Sequence, residues 1–331
     1  MHKGCPHRCI FCNIHKTIGT HPDKITEDMI GETITEYLAS VKGTPARVQI
    51  AFYGGNFTGM DQDKQIELLE YTKPFIKKGL VDSIRISTRP DCITPEGLDI
   101  LKAFHVATIE IGAQSMTDDV LSLAKRGHKA GDVTNAMQML TDWGFETGIH
   151  LMAGLPGDTP LLFDNTVEQI IALRPDMVRI HPTIVFSDTE LGRLYQSGNY
   201  IPMSLNEATD VCKIALKKFT EARIPVIRLG LQTTKEMEMP GTIVAGPYHP
   251  AFRSIVEESL YFDLASSLLV TKHPQNKTVS FTLSPKAVSS FRGQKNMNLQ
   301  KLKQRFGMAE IQLISDPRQQ RLSVNVMITQ D

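Results

Sequence analysis

The chain has 331 residues, 41% of them hydrophobic, which is enough for one large domain with a smaller appendage and a sizeable core. Lys plus Arg and Asp plus Glu number 36 each, so global charge selects no partner, and any nucleic-acid surface must be local. No apolar run is long enough to span a bilayer, the first residues lack the apolar segment of a signal peptide, and the cysteine usage points to a reducing cytoplasm.

Three of the five cysteines, Cys5, Cys9 and Cys12, open the chain in a C-x3-C-x2-C pattern. Three thiolates on a short loop suit three irons of a cubane cluster and leave the fourth iron open. A zinc site would need a fourth ligand such as His7 or His15, and no second C-x2-C pair completes it. Plain buried thiols are the remaining reading. Cys92 and Cys212 stand apart in sequence and read as ordinary structural residues.

Beyond the loop, Met29, Ile30, Ile34, Tyr37 and Leu38 recur at helical spacing, and Thr26 is placed to cap a helix over 26–39. Apolar runs at 48–53, 83–87, 106–111, 146–152, 177–181 and 225–229 predict strands. Between them, helices are predicted over 63–78, 96–104, 116–125, 132–143, from Gly157 toward Leu173, and over 206–221. Strands alternating with amphipathic helices give an α/β protein with a parallel sheet and right-handed crossovers. Arg179 and His181 flank one apolar strand position, so the two-residue period puts them on one face. Glu110 lies inside an apolar strand, where it needs either an internal arginine or a ligand.

The stretch 232–252, rich in Gly, Pro and Met, reads as a connection across the barrel mouth. A helix over 255–269 follows, then a βαββ-like unit with strands at 279–283, 310–313 and 321–327 and a helix over 299–306. Lys286, Arg292, Lys295, Lys301, Lys303 and Arg305 fall in a stretch without an acidic residue. Gly293 turns the chain just before the helix, so basic side chains and a helix N-terminus converge as a phosphate-binding candidate. The same stretch equally suits a soluble surface. It is similar to the GxxG clamp of KH RNA-binding domains, with Asn296 in place of the second glycine.

The cysteine loop, Tyr53-Gly54-Gly55-Asn56-Phe57-Thr58, the segment 85–91, Glu110-Ile111-Gly112-Ala113-Gln114-Ser115, Arg126-Gly127-His128 and the segment 150–157 occur in the order that resembles radical S-adenosylmethionine (SAM) enzymes. The wording is similar to the bacterial relatives of the Elongator catalytic subunit, from Met1 to about Gly230, with a family-like extension to Asp331. The resemblance implies a partial (β/α)6, TIM-like barrel over 1–230 and a small α+β domain over 231–331. It also implies a strand before the cysteine loop, for which the residues ahead of Gly4 leave no room, so the barrel is expected without its first strand.

What the resemblance implies about chemistry is specific. A [4Fe-4S] cluster on Cys5, Cys9 and Cys12 would take an electron from a flavodoxin or ferredoxin and cleave SAM to a 5′-deoxyadenosyl radical. Gly54, Gly55 and Asn56 would receive the SAM amino group. Ser87 and Arg89 would touch SAM or substrate, although Arg89 has Asp91 as an alternative partner. Glu110, Gln114 and Ser115 would line the pocket, Arg126 would pair with the SAM carboxylate, and His150 would hold the ribose. Arg179, His181 and Arg228 read equally as satisfied core polar groups or as substrate contacts, and RNA, tRNA above all, is the expected substrate. The acetyltransferase domain of the Elongator relatives is not visible, so an acetylated product is not implied. Two alternatives are a non-catalytic iron-sulfur or zinc RNA-binding protein and an anaerobic tetrapyrrole-pathway radical enzyme. Nothing in the chain fixes an oligomeric state.

Overall fold

The computed structural model of the chain describes residues 4–13, 25–41, 43 and 45–329. His15 and the residues before Gly4 lie outside the described residues. The central sheet has six strands in the order β1-β2-β3-β4-β5-β7. They are β1 (Gln49–Phe52), β2 (Ser83–Thr88), β3 (Val106–Gln114), β4 (Glu146–Ala153), β5 (Met177–Pro182) and, after the short β6 (Val185–Phe186), β7 (Val226–Leu229). Every neighbouring pair is parallel. This is the α/β partial barrel, and among the described residues no strand precedes the cysteine loop.

Helices bridge the strands where apolar spacing predicts them, and their ends follow from capping. Helix α1 (Glu27–Ser40) starts where the Thr26 hydroxyl accepts the Met29 amide, and two acids occupy its first turn. The single helix expected over 63–78 is two, α2 (Gln62–Glu70) and α3 (Lys73–Lys77). Pro74 lacks an amide hydrogen and cannot continue the first helix, but it is tolerated in the first turn of the second. Ile84, Ile86, Ile109, Ile111, Ile149, Leu151, Val178 and Ile180 are essentially without exposure and pack under the helices. Each such side chain contributes about 1.5–3 kcal/mol. Alternate positions of the same strands, Ser87, His150, Arg179 and His181 among them, are polar and line the inside, so the hydrophobic layer lies outside the barrel and the lumen is left for chemistry.

The stretch 232–252 contains an unexpected strand, β8 (Ile243–Ala245), which pairs antiparallel with β6 beside the C-terminal end of β5. Beyond it, the long helix Phe252–Leu269 supplies Val256 and Leu260 to the barrel core and Tyr261, Ala265 and Leu269 to a second core. That second core lies under a three-stranded sheet in which β9 (Thr278–Leu283) is central, β10 (Glu310–Ser315) is parallel to it and β11 (Asn325–Thr329) antiparallel. The last strand thus begins later than expected, because residues 316–324 form turns rather than ladder.

Glu257 joins the two cores. It is 3% exposed, and its carboxylate accepts from Arg253 at 2.8 Å and from Arg321 at 2.7 Å. Arg253 also donates to the Val226 carbonyl of β7 at 2.8 Å, so the pair fastens the C-terminal unit to the barrel. Replacing both arginines by alanine leaves this carboxylate buried without a cation, at an expected cost of about 3–5 kcal/mol in denaturant unfolding. A loss below about 1 kcal/mol would contradict this role.

Candidate active site

The C-terminal ends of the strands open into a cavity of about 400 Å³. Its lining includes Cys12 and Asn13 of the cysteine loop, Tyr53 and Gly54 after β1, Ser87, Glu110, His150, Arg179, His181 and Arg228. Phe11, Met152, Ile184, Phe186 and Leu231 supply an apolar wall. Residues from seven different segments, the cysteine loop and the strands or strand exits up to Gln232, therefore meet in one concave site of ordinary ligand-pocket size.

Glu110 is 4% exposed and anchors the lumen. Arg179 donates Nε to one carboxylate oxygen at 2.5 Å and an Nη to the other at 3.0 Å. Arg85 donates at 3.2 Å and the Tyr53 hydroxyl at 2.5 Å. Burial alone would raise the Glu110 pKa, but the bonds from Arg179 outweigh it and hold the group below its ordinary value. The internal arginine expected for Glu110 is thus present while the residue still lines the cavity. To reach Arg179 on β5, Glu110 must cross β4, and Gly148 is the residue in register beside it. A Cβ at Gly148 would stand 2.7 Å from Glu110 Cγ, so only glycine leaves the passage open.

The cysteine loop is held over this lumen by polar ties. Asn56 is 1% exposed; its Nδ2 donates to the Gly4 carbonyl at 2.6 Å and to Cys92 Sγ at 3.1 Å. Its Oδ1 accepts the Thr88 hydroxyl at 2.7 Å and the Arg89 amide at 3.1 Å. Asn56 is therefore committed to fastening the loop to the sheet and is not directed at the cavity. Gly4 has φ +88 and lies against the Asn56 carbonyl, where a Cβ would overlap it. Farther along, the Ile10 amide donates to Ala124 at 3.2 Å and the Leu191 amide to Ile10 at 2.8 Å. Cys92, separate in sequence, is beside the loop in space.

Other expected contacts resolve differently. Arg89 is buried and its guanidinium forms a bidentate pair with Asp91 at 3.0 and 2.9 Å, the alternative open from sequence. Ser115 accepts the Thr117 amide at 3.1 Å inside the protein and is absent from the cavity lining. Gln114 sits at the irregular end of β3 with φ 70, and its buried Oε1 has no partner among the described residues. A non-glycine residue held in that region stores strain of the kind found at ligand sites. Arg126, 6% exposed, donates to Cys9 Sγ at 3.2 Å and to the Gly112 carbonyl at 2.6 Å.

The donor set at the loop fits a thiolate-held cluster. Soft sulfur donors are flanked by the buried guanidinium of Arg126, and Arg89 Nη1 is buried without a partner among the described residues, so added negative charge has a place to be received. Among the described residues no three His, Cys, Asp or Glu side chains converge as ligands do.

His150 Nε2 and His181 Nδ1 lie 2.8 Å apart, with the rings edge to face. Burial holds His150 down at about 4 and His181 well below its ordinary value, so both are neutral near pH 7. The two residues expected to serve cofactor and substrate separately thus form one pair.

In the C-terminal unit, Lys286, Arg292, Lys295, Lys301 and Lys303 are exposed. Arg305 packs over the Phe262 and Phe306 rings at 6.0 and 5.4 Å. A short helix, Val288–Arg292, precedes Gly293, and the second helix is Met297–Phe306, so residues 293–296 turn between two helices. Asn296 has φ 61 and supplies the left-handed step that glycine would otherwise take. The carboxylate of Glu258 accepts the Gln294 amide at 3.1 Å, which places an acid against a segment that has none in sequence.

Comparison with known proteins agrees with this geometry. Residues 1–170 match the model of the Radical SAM superfamily and residues 175–261 that of the Radical_SAM C-terminal domain. A tRNA uridine(34) acetyltransferase of Methanocaldococcus jannaschii is 27% identical over 256 residues, covering 64% of this chain and 46% of that protein. The heme chaperone HemW of Bacillus subtilis is 26% identical over 218 residues, covering 65% and 57%. The chain thus spans about half the length of these curated relatives. The solved Methanocaldococcus infernus Elp3 with an N-terminal deletion shares the fold, with a TM-score of 0.57 at 23% identity over 71% of this chain and 57% of that one. Among the described residues no helix is long and apolar enough to cross a membrane.

Acidification gives a direct test of the imidazole pair. Between the ordinary histidine value of 6.5 and about 4, the unfolded chain binds a proton that folded His150 does not, so stability falls as pH is lowered through that window. His128, also held at about 4 by burial, acts in the same direction, whereas Asp158, raised to about 6 by burial, opposes it. Denaturant midpoints of His150→Gln should therefore fall less between pH 6.5 and 4.5 than those of the parent. Identical slopes would contradict a buried neutral imidazole.

Proposed function

Since the chain belongs to the radical SAM superfamily, we propose that it cleaves SAM reductively and directs the resulting radical at an RNA, with tRNA the favoured substrate. The chain is a radical SAM enzyme. The observation that supports SAM cleavage here is that Cys12 and inward polar residues of β2, β3, β4, β5 and β7 line a single cavity.

Cys5, Cys9 and Cys12 would hold a [4Fe-4S] cluster, and Arg126 beside Cys9 would stabilise thiolate charge. When bound, the cluster and SAM supply one-electron reduction and the 5′-deoxyadenosyl radical. The chain's own work is binding and exclusion. Gly54 brings backbone to the cavity beside the cysteine loop, Ser87 and His150 line the lumen, and the Phe11, Met152, Ile184 and Phe186 wall keeps water from the reacting carbon. The electron would come from a flavodoxin or ferredoxin. The exposed cations around Gly293 would position RNA through its phosphates without reading its sequence.

The RNA reading is supported by those cations and by the likeness to a tRNA uridine(34) acetyltransferase. The likeness to a heme chaperone keeps a tetrapyrrole reading as its competitor. Anaerobic incubation of cluster-replete protein with cellular RNA, SAM and dithionite, followed by nucleoside mass spectrometry, separates them. A new nucleoside that disappears with Cys12→Ala is expected. Unchanged RNA alongside a bound or altered tetrapyrrole would overturn the assignment.

A further inference from the structure

The charges of the active-site cavity do not balance. Glu110 is its only lining carboxylate among the described residues, and both oxygens already accept from Arg179, with Arg85 and Tyr53 added. Arg228 lies in register beside Arg179 on the neighbouring strand and lines the same cavity. It is only partly exposed, and among the described residues no hydrogen bond or ion pair reaches its guanidinium. A half-buried guanidinium without a counter-charge is costly unless a ligand supplies one. Burial, and then the charge of Arg179, lowers the Arg228 pKa against the smaller opposing pull of Tyr53 and Glu110, in keeping with a cavity whose arginines outnumber its one carboxylate.

A second, independent observation lies next to it. His181 Nε2 is buried without a partner among the described residues, while its Nδ1 faces His150. Both rings are neutral, so one proton lies between them. If His150 Nε2–H donates to His181 Nδ1, then His181 carries its hydrogen on Nε2 and offers a donor. An oxyanion held by Arg228 selects that tautomer, because only it completes the remaining bond. Glu110 already accepts four hydrogen bonds, none of them from Arg228 or His181.

We propose that Arg228 and His181 Nε2 form an oxyanion subsite for the substrate, on the β5–β7 side of the cavity away from Arg126. The subsite takes a phosphate or a carboxylate. Under the RNA reading, on which the phosphate source rests, it holds the phosphodiester next to the nucleotide being modified. A guanidinium suits either group through paired N–H donors.

Thermal unfolding and calorimetric titration with uridine 5′-monophosphate, uridine and succinate, at ionic strength fixed with chloride, test the subsite without cluster or SAM. The monophosphate or succinate should stabilise the parent protein, since a ligand of the native state raises its midpoint. Arg228→Gln should weaken that anion at least about tenfold while leaving uridine unaffected, and Arg228→Lys should retain part of the affinity. Without anion, Arg228→Gln should unfold no earlier than the parent, because a half-buried cation repelled by Arg179 has been removed. Titration of 13C-labelled histidine should show the His181 pKa rising when the anion binds. Preference for the monophosphate identifies a phosphate source and preference for succinate a carboxylate source. Failure of both anions to bind, or equal binding by Arg228→Gln, overturns the subsite. Anion binding through Arg228 together with unmodified RNA would instead retain the subsite and reject the RNA substrate.

Discussion

A carboxylate inside a parallel sheet requires cations, and the way Glu110 obtains them organises the lumen of this barrel. Its partners come from the exit of β1, from β2 and from β5, so one side chain on β3 ties together segments that are not all neighbours. Gly148 follows from the same requirement, since any larger residue there closes the route to Arg179. Arg228 follows too. With the carboxylate paired to Arg179, the next arginine in the row is left facing the cavity, and an architectural ion pair sets the electrostatics of that side.

The cysteine loop depends on the sheet in a different way. It has no regular secondary structure of its own and is held by Asn56 from the exit of β1, by Ala124 and Arg126 beyond β3, and by Leu191 beyond β5. Each tie lies at the C-terminal end of the barrel, which is where barrel enzymes assemble their chemistry. Asn56 has a dual position: it fastens the loop through Gly4 and also bonds Cys92, so the loop, the first strand exit and the segment after β2 form one unit.

Much of this was legible in the sequence, because hydrophobic periodicity reports local geometry. The alternation of strands and helices, the shared face of Arg179 and His181, and the cysteine motif all concern residues close together in the chain. What was not legible depends on strand order and crossing. Asp91 lies two residues from Arg89 and could be weighed from sequence, but Glu110 and Arg179 are 69 positions apart and meet only because Gly148 lets a side chain pass β4. The union of His150 with His181 has the same origin, as does Glu258 reaching the basic turn at Gly293. The strand Ile243–Ala245 escaped notice because three residues in a Gly- and Pro-rich stretch carry no period.

The central claim is that the cysteine loop and the polar lumen form one radical SAM site. The most direct measurement is 5′-deoxyadenosine formation by cluster-replete protein supplied anaerobically with SAM and dithionite. The account predicts 5′-deoxyadenosine and methionine in equal amounts, both abolished by Cys9→Ala. Absence of 5′-deoxyadenosine from protein with full iron and sulfide content, or its undiminished formation by Cys9→Ala, would contradict it.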